Sequence, residues 1–535
     1  MKSLPLKALR EGAARLLAAA VLRIFPNTRL LKGGEADLGF YYDFIFDRPL
    51  GEEAFPLIEE HIRALTAEGA KVRSTTMIRE NAKEFFKHKK QPFKIKTLEN
   101  ESEEVEILQI GDFHDVCPLP HPDELGGFRA LELLSIENRH EKGLEITRIT
   151  GTVFPDQKEL KYFLKKLKTF KSHLEMAQEK KILTPLGPSS GDGWLFGPFV
   201  SGFIDMMKGI WKDFCFDEGM EVVSSRGSDF RTLLASHAAY ARASQADPPI
   251  RIAEFYQKFE SVEEPRLSGL LRADRCVGDA QNIFCRESQV SEELNSSLHF
   301  IKKWNKMLSI EGEWVLASYG KKTKRSSYYW ERGKALLVEA FKNSEFSQSL
   351  PTDSAGLDFE SLFVGPRLEY HYIDELGRRW LGPSLGVWTS FPKMDNLNEE
   401  LKQDPLWIIG CSIFSSVERI AALLLEKGKG IVPFRLIPEQ IRIFPLTEEQ
   451  AGYAKEIESQ CRLRGLRARI DKRTVPLSVK VEKMERDGVG FGLFIGDHEQ
   501  TKNKVSVRSG YDRSEQKLID LNVFFAQIDK DDEGR

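Results

Sequence analysis

The chain has 535 residues, of which 41% are hydrophobic and 10% aromatic, enough apolar mass for several packed cores, which excludes a wholly disordered chain. Lys and Arg number 78 against 81 Asp and Glu, for a formal net charge of -3; the chain is no polycation, and any nucleic-acid contact must come from local patches. The six cysteines are scattered without a CxxC pair, which argues against a disulfide framework and for a reducing, cytoplasmic setting.

At about 150 residues per domain the length predicts three or four domains. The opening Lys2, Lys7 and Arg10 precede an Ala/Leu run that continues through Arg23 and Pro26 without a small-residue cleavage site, so it reads as an amphipathic helix and not a leader. Its most apolar stretch, Leu16–Ile24, contains Arg23 and falls short of the roughly 20 residues a membrane span needs. Leu6, Leu9, Ala13, Leu16, Leu17 and Ala20 recur at helical spacing, which predicts a helix over 5–24. Asp37–Asp47 is aromatic-rich and strand-like, Glu52–Gly69 and Thr75–His88 read as helices, and Glu99–Glu106 reads as an acidic loop or strand edge. Residues 107–155 alternate short strands and turns.

From Gln157 the apolar positions Leu160, Phe163, Leu164, Leu167, Phe170 and Leu174 predict one long helix, with Lys161, Lys165, Lys166, Lys168 and Lys171 on its basic face. Thr184–Gly193 is Pro/Gly/Ser-rich and marks a domain boundary; a second lies near Glu426–Phe434. Beyond it, strands at 435–446, 467–471, 490–497 and 504–510 alternate with helices over Glu448–Leu466 and Ser478–Arg486, the pattern of a small α/β domain with a parallel or mixed sheet. Its basic cluster is Arg462, Arg464, Arg467, Arg469, Lys472 and Arg473, which is either a solvated face or a phosphate-binding one.

No phosphate loop, paired-glycine fingerprint, HExxH or GxSxG motif occurs. Gly488–Gly492 precedes a strand instead of opening a helix. Cys117 and His121 have a metal-like spacing, with His114 and His140 nearby, but two ligands do not make a zinc site.

Taken together, "DLGFYYDFIFDRPL", "DVCPLPH", "ITRITGTVFPDQKELKYFLKKLK", "GDGWLF", "RIAEF", "GDAQNIFC", "VGPRLEYHYID", "SSVERI" and, near the C-terminus, "VPFRLIPEQIRI", "RARIDKR", "GLFIGDHE" and "KVSVR" resemble threonyl-tRNA synthetase, in order, from about Glu11 onward. The family's N-terminal ubiquitin-like domain has no counterpart here. The resemblance implies an α/β and α+β multidomain chain: an editing-type α+β domain at 1–156, a linker helix at 157–184, a class II antiparallel-sheet core at 185–428, and an α/β anticodon-binding-type domain at 431–535. In the family the core activates threonine with ATP and transfers it to tRNA, and the editing domain hydrolyses mischarged seryl-tRNA.

Carried over residue by residue, the resemblance breaks at the chemistry. Of the editing residues, the CxxxH pair is kept as Cys117 and His121, while the HxxxH pair falls on Glu11 and Arg15; this predicts loss of hydrolytic editing. The family's zinc-binding cysteine falls within Ser225–Ala235, which has none, and its two histidines fall on Asn282 and Gly410; this predicts a core without zinc. Class II motif 2 places Glu260 and Val262 where the family has its phosphate-binding Arg and adenine-orienting Glu, and Asp274 at a further basic position. An anion there repels a triphosphate by a few kcal/mol at an effective dielectric near 20. The Gln and Asp of the family's GTxQLDF strand fall on Gly386 and Trp388. Arg419, Glu369 and Arg367 persist; Arg419 and the adjacent Glu418 read either as a remnant of ATP binding or as a structural pair. Phe284, Cys285 and Gly365–Pro366 are fold positions.

The C-terminal domain departs least. Asp471, Arg473, Lys480, Glu499 and Arg508 fall on the family's anticodon face, although Thr474–Pro476 replaces an Asn/Glu stretch. Unpaired bases are read by stacking and edge hydrogen bonds on such a surface. The leading expectation is a synthetase-derived protein without aminoacylation activity that binds tRNA or tRNA-like RNA through 431–535, including Arg473, Lys480, Glu499 and Arg508, and through Lys165 and Lys168; no membrane or DNA partner is expected. Two alternatives stand beside it. One is an active threonine–tRNA ligase with an unusual site, which would need ATP and zinc. The other is a regulatory or structural role, as a homodimer through motif 1 (within Phe199–Val223) or as the partner of a genuine synthetase.

Overall fold

The computed structural model describes residues 6–68, 72–99, 101–116, 128, 130–141, 143–179, 183–186, 193–225, 230–259, 269–271, 275–318, 327–346, 352–355, 365–388, 406–510 and 516–533. They form two compact units, Met1–Phe170 and Lys171–Arg535.

In the first unit the helix Leu6–Ile24 buries residues on nearly every side, Leu9, Ala13, Leu16, Leu17, Ala20 and Val21 among them. The alanines let it lie close against an antiparallel four-stranded sheet ordered Arg29–Ala36, Gly39–Ile45, Leu144–Phe154, Ala130–Glu141. All seven residues of Gly39–Ile45 are buried, as the aromatic run predicts. A three-stranded sheet, Arg73–Ile78, Glu104–Ile110 and Phe113–Val116, completes the unit.

Two helix expectations are corrected here. Arg73–Ile78 is a strand paired antiparallel with Glu104–Ile110, and the helix starts only at Arg79; Thr75, Thr76 and Ile78 are β-branched and fit a pleated surface better than a helix turn. The long basic helix is two helices. Gln157–Thr169 ends where Phe170 turns to an extended backbone (φ -74, ψ 128). His173–Glu179 then begins beside Ser172, whose amide and hydroxyl both donate to the Glu175 carboxylate, a side-chain cap that favours a fresh start.

The second unit is built on an eight-stranded sheet ordered Glu221–Val223, Ile250–Phe259, Arg275–Cys285, Trp407–Ser412, Arg379–Trp388, Arg367–Ile373, Gly312–Ser318, Thr352–Ala355. Its six central strands are antiparallel and the two outermost pair in parallel. Because side chains alternate across a strand, Ala253, Ile283, Cys285, Leu385, Val387, Ile409 and Cys411 share one face and pack on Trp211, Trp304 and Phe414, under the helices Pro198–Asp217, Glu287–Leu308 and Val417–Lys427. The opposite face carries Glu254, Asn282, Gly410, Gly386, Trp388 and Glu369.

The C-terminal part has a five-stranded mixed sheet ordered Ala468–Ile470, Ile441–Pro445, Phe491–Ile495, Lys504–Ser509, Lys517–Asp520, the first three parallel. The helices Ala451–Leu463, Leu477–Arg486 and Leu521–Glu533 cover it, with Ile441, Ile443, Ile457, Leu493 and Phe524 in the core. It is seated on the larger sheet domain: Arg435 donates to the Met307 carbonyl and Ser309 hydroxyl, and Arg467 holds the carbonyls of Arg435 and Ile437. No described helix is long and apolar enough to cross a membrane.

Candidate substrate cleft and nucleic-acid interface

The strand register puts positions 282, 410 and 386 in one row across three strands, with Asn282 opposite Gly410 and Gly410 opposite Gly386. The indole of Trp388 lies over this row. A Cβ at Gly410 would stand 2.9 Å from its Cζ3 and closer still to Cη2, and one at Gly386 would stand 3.1 Å from Cζ3. Trp388 is 5% exposed and packs with Leu234, Ala238, Ala241, Ile250, Ile252, Phe284 and Ile408. Beside it, Asn282 Nδ2 donates to His237 Nδ1 at 2.9 Å, and His237 Nε2 meets Glu254 at 3.1 Å. Burial outweighs the pull of Glu254 and lowers the His237 pKa below its ordinary value, consistent with a neutral ring accepting at Nδ1.

Zinc takes three or four Cys, His or carboxylate ligands. Asn282 and Gly410 supply none, and the indole fills the space over them, so these residues do not fit the ion. Among the described residues no group of three His, Cys, Asp or Glu side chains could hold a metal. Cys117, His121, Glu260, Val262 and Asp274 lie outside the described residues.

Arg419 is 8% exposed. Its guanidinium donates to the Leu271 carbonyl at 2.9 Å, the Leu381 carbonyl at 3.2 Å and the Ser415 hydroxyl at 2.8 Å. Glu418 accepts from the Val277 amide and the Ser416 hydroxyl, and burial pushes its carboxyl up. Glu369 is 1% exposed and held by Arg367 and by His371 at 2.8 Å. Burial alone would raise its pKa, but these two partners keep it below the usual carboxylate range. Arg419 and Glu369 are thus both hydrogen-bonded within the chain.

In the first unit Glu11 and Arg15 form a buried i,i+4 ion pair, with Glu11 also accepting from the Glu35 amide at 3.1 Å. Each of the two charges is thus satisfied within the unit. Nearby, Tyr42 donates to Asp115 at 2.9 Å, Asp115 pairs with Lys94, and Arg148 forks onto Asp43 at 2.6 and 2.7 Å. Burial first, then Asp115, raises the Tyr42 pKa. Sequence reading missed this cluster, because its members come from four separate elements.

The C-terminal domain behaves differently. The loop leaving Ala468–Ile470 lies at the carboxyl end of the parallel strands, where open α/β sheets bind ligands. It exposes Lys472, with Arg469 exposed on the strand before it, and half-exposes Arg473. Val475, Leu477 and Val479 beside them are 40%, 42% and 45% exposed. Arg473 forks onto Asp471 through Nε at 2.9 Å and Nη2 at 2.5 Å; burial would raise the Asp471 pKa, but Arg473 draws it down.

The other residues assigned to this face from sequence make bonds within the chain. Lys480 is buried, its Nζ 3.5 Å from the Asp471 carbonyl. Glu499 caps a helix, accepting from the Gly496 amide at 3.0 Å and Ser506 at 2.8 Å. Arg508 pairs with Glu485 at 2.6 Å. The basic cluster divides likewise: Arg464 stacks on Phe525 at 4.1 Å, Arg462 meets Glu458 at 3.3 Å, and Arg467 braces the domain junction. On Gln157–Thr169, Lys158, Lys161, Lys165 and Lys168 are exposed, and Tyr162 is 62% exposed with Lys166 over its ring at 5.0 Å.

Residues 440–531 match the family described as "Anticodon binding domain". Threonine–tRNA ligases from Haloquadratum walsbyi and Rubrobacter xylanophilus are each 26% identical to this chain; the first match covers 99% of the chain and 88% of the relative, the second 97% and 88%. Among solved structures, the RNA binding domain of threonyl-tRNA synthetase from Cryptosporidium parvum superimposes with a TM-score of 0.55 at 21% identity, over 67% of this chain and 98% of that one. The mixed architecture with its antiparallel sheets is shared with that fold. The chain is a divergent threonyl-tRNA synthetase-like protein with an anticodon-binding domain at its C-terminal end.

Proposed function

We propose that the chain binds tRNA or tRNA-like RNA and does not aminoacylate it. In this reading residues 1–156 are an editing-type domain, 157–184 the linker, 185–428 a class II-like core and 431–535 the RNA-binding domain. The observation that carries it is the contrast within the second unit: Arg419 and Glu369 are bonded into their own chain, while Arg469, Lys472 and three apolar side chains stand exposed at the carboxyl end of the C-terminal sheet. Cations there attract phosphates, and exposed Val475 and Leu477 offer apolar contact to unstacked bases. Lys158, Lys161, Lys165 and Lys168 on Gln157–Thr169 supply a second phosphate-facing surface.

Two measurements on the full chain test this. Fluorescence anisotropy with labelled bulk tRNA should show binding that weakens steeply as salt rises. Threonine-dependent ATP–pyrophosphate exchange should stay at background. Robust exchange, or RNA binding that is absent at low salt, defeats the proposal.

A further inference from the structure

The row of positions 282, 410 and 386 carries no metal-binding side chain, and the Trp388 indole occupies the volume above it. Trp388 is buried there, with Gly386 and Gly410 forming a floor: a Cβ at Gly386 would be tight against the ring at 3.1 Å, and one at Gly410 would overlap it. At Gly410 any side chain at all would overlap the six-membered ring. Leu234, Ala238 and Ala241 from the helix Phe230–Ser244 and Ile250, Ile252, Phe284 and Ile408 from the sheet close around the indole. Such a cluster has the character of a small core and not of a vacated pocket, which would stand open or hold water.

We propose that Trp388 is a built-in plug: its indole fills the amino-acid pocket of the core, so that neither zinc nor threonine can enter, and the glycines at 386 and 410 are what let it seat. This rests on the reading above that the core does not aminoacylate, and it names the group that closes the site.

The steric interlock is tested by a double-mutant comparison on the full chain. Gly410→Ala should lower the melting temperature by about 5 °C while Trp388 is present. In a Trp388→Leu background the same substitution should shift it by about 1 °C or less, because the overlapping ring is gone. If Gly410→Ala alone fails to give soluble protein, recovery of solubility in the Trp388→Leu double variant supports the plug equally. An equal effect of Gly410→Ala in both backgrounds overturns it.

A second arm uses the Cys117→Ser chain, so that the Cys117/His121 pair cannot contribute. After equilibration with zinc sulfate and gel filtration it should retain no stoichiometric zinc, and millimolar threonine should leave its melting temperature unmoved. One zinc per chain, or a threonine-induced rise, overturns the plug. Anisotropy with tRNA on the same samples keeps the two ideas apart: loss of RNA binding in the wild-type chain counts against the proposed function and leaves the plug standing.

Discussion

Within the second unit, the sheet core and the C-terminal domain treat charge in opposite ways. In the core, Asp279 accepts from the amides of Ile413 and Phe414 at 2.9 and 2.7 Å, from Trp211 at 3.1 Å and from Ser412 at 3.1 Å; burial nevertheless pushes its pKa up to about 6. Arg419, Glu369, Glu418 and Glu254 are likewise buried and bonded internally. In the C-terminal domain the buried charges serve structure, but Arg469 and Lys472 remain exposed at a sheet edge. A polar group satisfied by its own chain stabilises the fold and has little left to offer a ligand, whereas an exposed cation keeps its reach toward a polyanion. The difference teaches that charged groups can serve packing in one part of a unit and remain open to solvent in another.

The comparison can be broken most forcefully at its core. Asp279→Asn puts an amide NH2 where five donors converge, Gln281 Nε2 at 3.2 Å being the fifth, and should destabilise the chain by about 3 kcal/mol; a chemical melt unchanged within about 1 kcal/mol would show that the buried carboxylate is not structural. Reversing the exposed edge, Arg469→Glu with Lys472→Glu, should weaken tRNA binding by about tenfold, roughly 1.4 kcal/mol, with the melt unaffected. Unchanged anisotropy titrations would move the RNA to another surface.

Acid should expose the core again. His237 is held neutral below its ordinary pKa of 6.5, so as pH falls through that value the unfolded chain takes up a proton that the folded chain refuses. Stability then declines with falling pH, by at most about 1.4 kcal/mol per pH unit. His237→Gln should flatten the melting temperature between pH 6.5 and 5, and parallel profiles for the two proteins would refute the assignment. The smallest effect belongs to the lysine helix. Lys165→Ala with Lys168→Ala should cost about threefold in tRNA affinity and make the dependence on log salt shallower by about 1; an unaltered slope would remove that helix from the interface.

Much of the architecture was legible beforehand, because hydrophobic period and turn residues are local. The aromatic run in Gly39–Ile45, the alternating elements after Phe434 and the apolar helix at the start all stand where the pattern places them. The strand Arg73–Ile78 was misread because Thr75–His88 carries both β-branched residues and a helical tail, and only its pairing partner at Glu104–Ile110 decides the matter. The break at Phe170 was invisible to apolar spacing, which continues across it.

At the sites, the sequence shows Asn282 and Gly410 as residues without a metal-binding side chain, but not that Trp388 packs over them. That neighbourhood emerges only when three strands are laid side by side. His237 carried no motif, and its partners lie 17 and 45 residues away. Lys480 and Glu499 looked like surface charges, since neither burial nor capping can be read from a lone charged residue.

Gly410 beneath Trp388 ties the two positions together. A side chain placed at 410 meets the indole, while removing the indole leaves a hollow among Leu234, Phe284 and Ile408. Each exchange made alone thus disturbs the packing that the other residue supports, and the pair tolerates change best when both positions vary together.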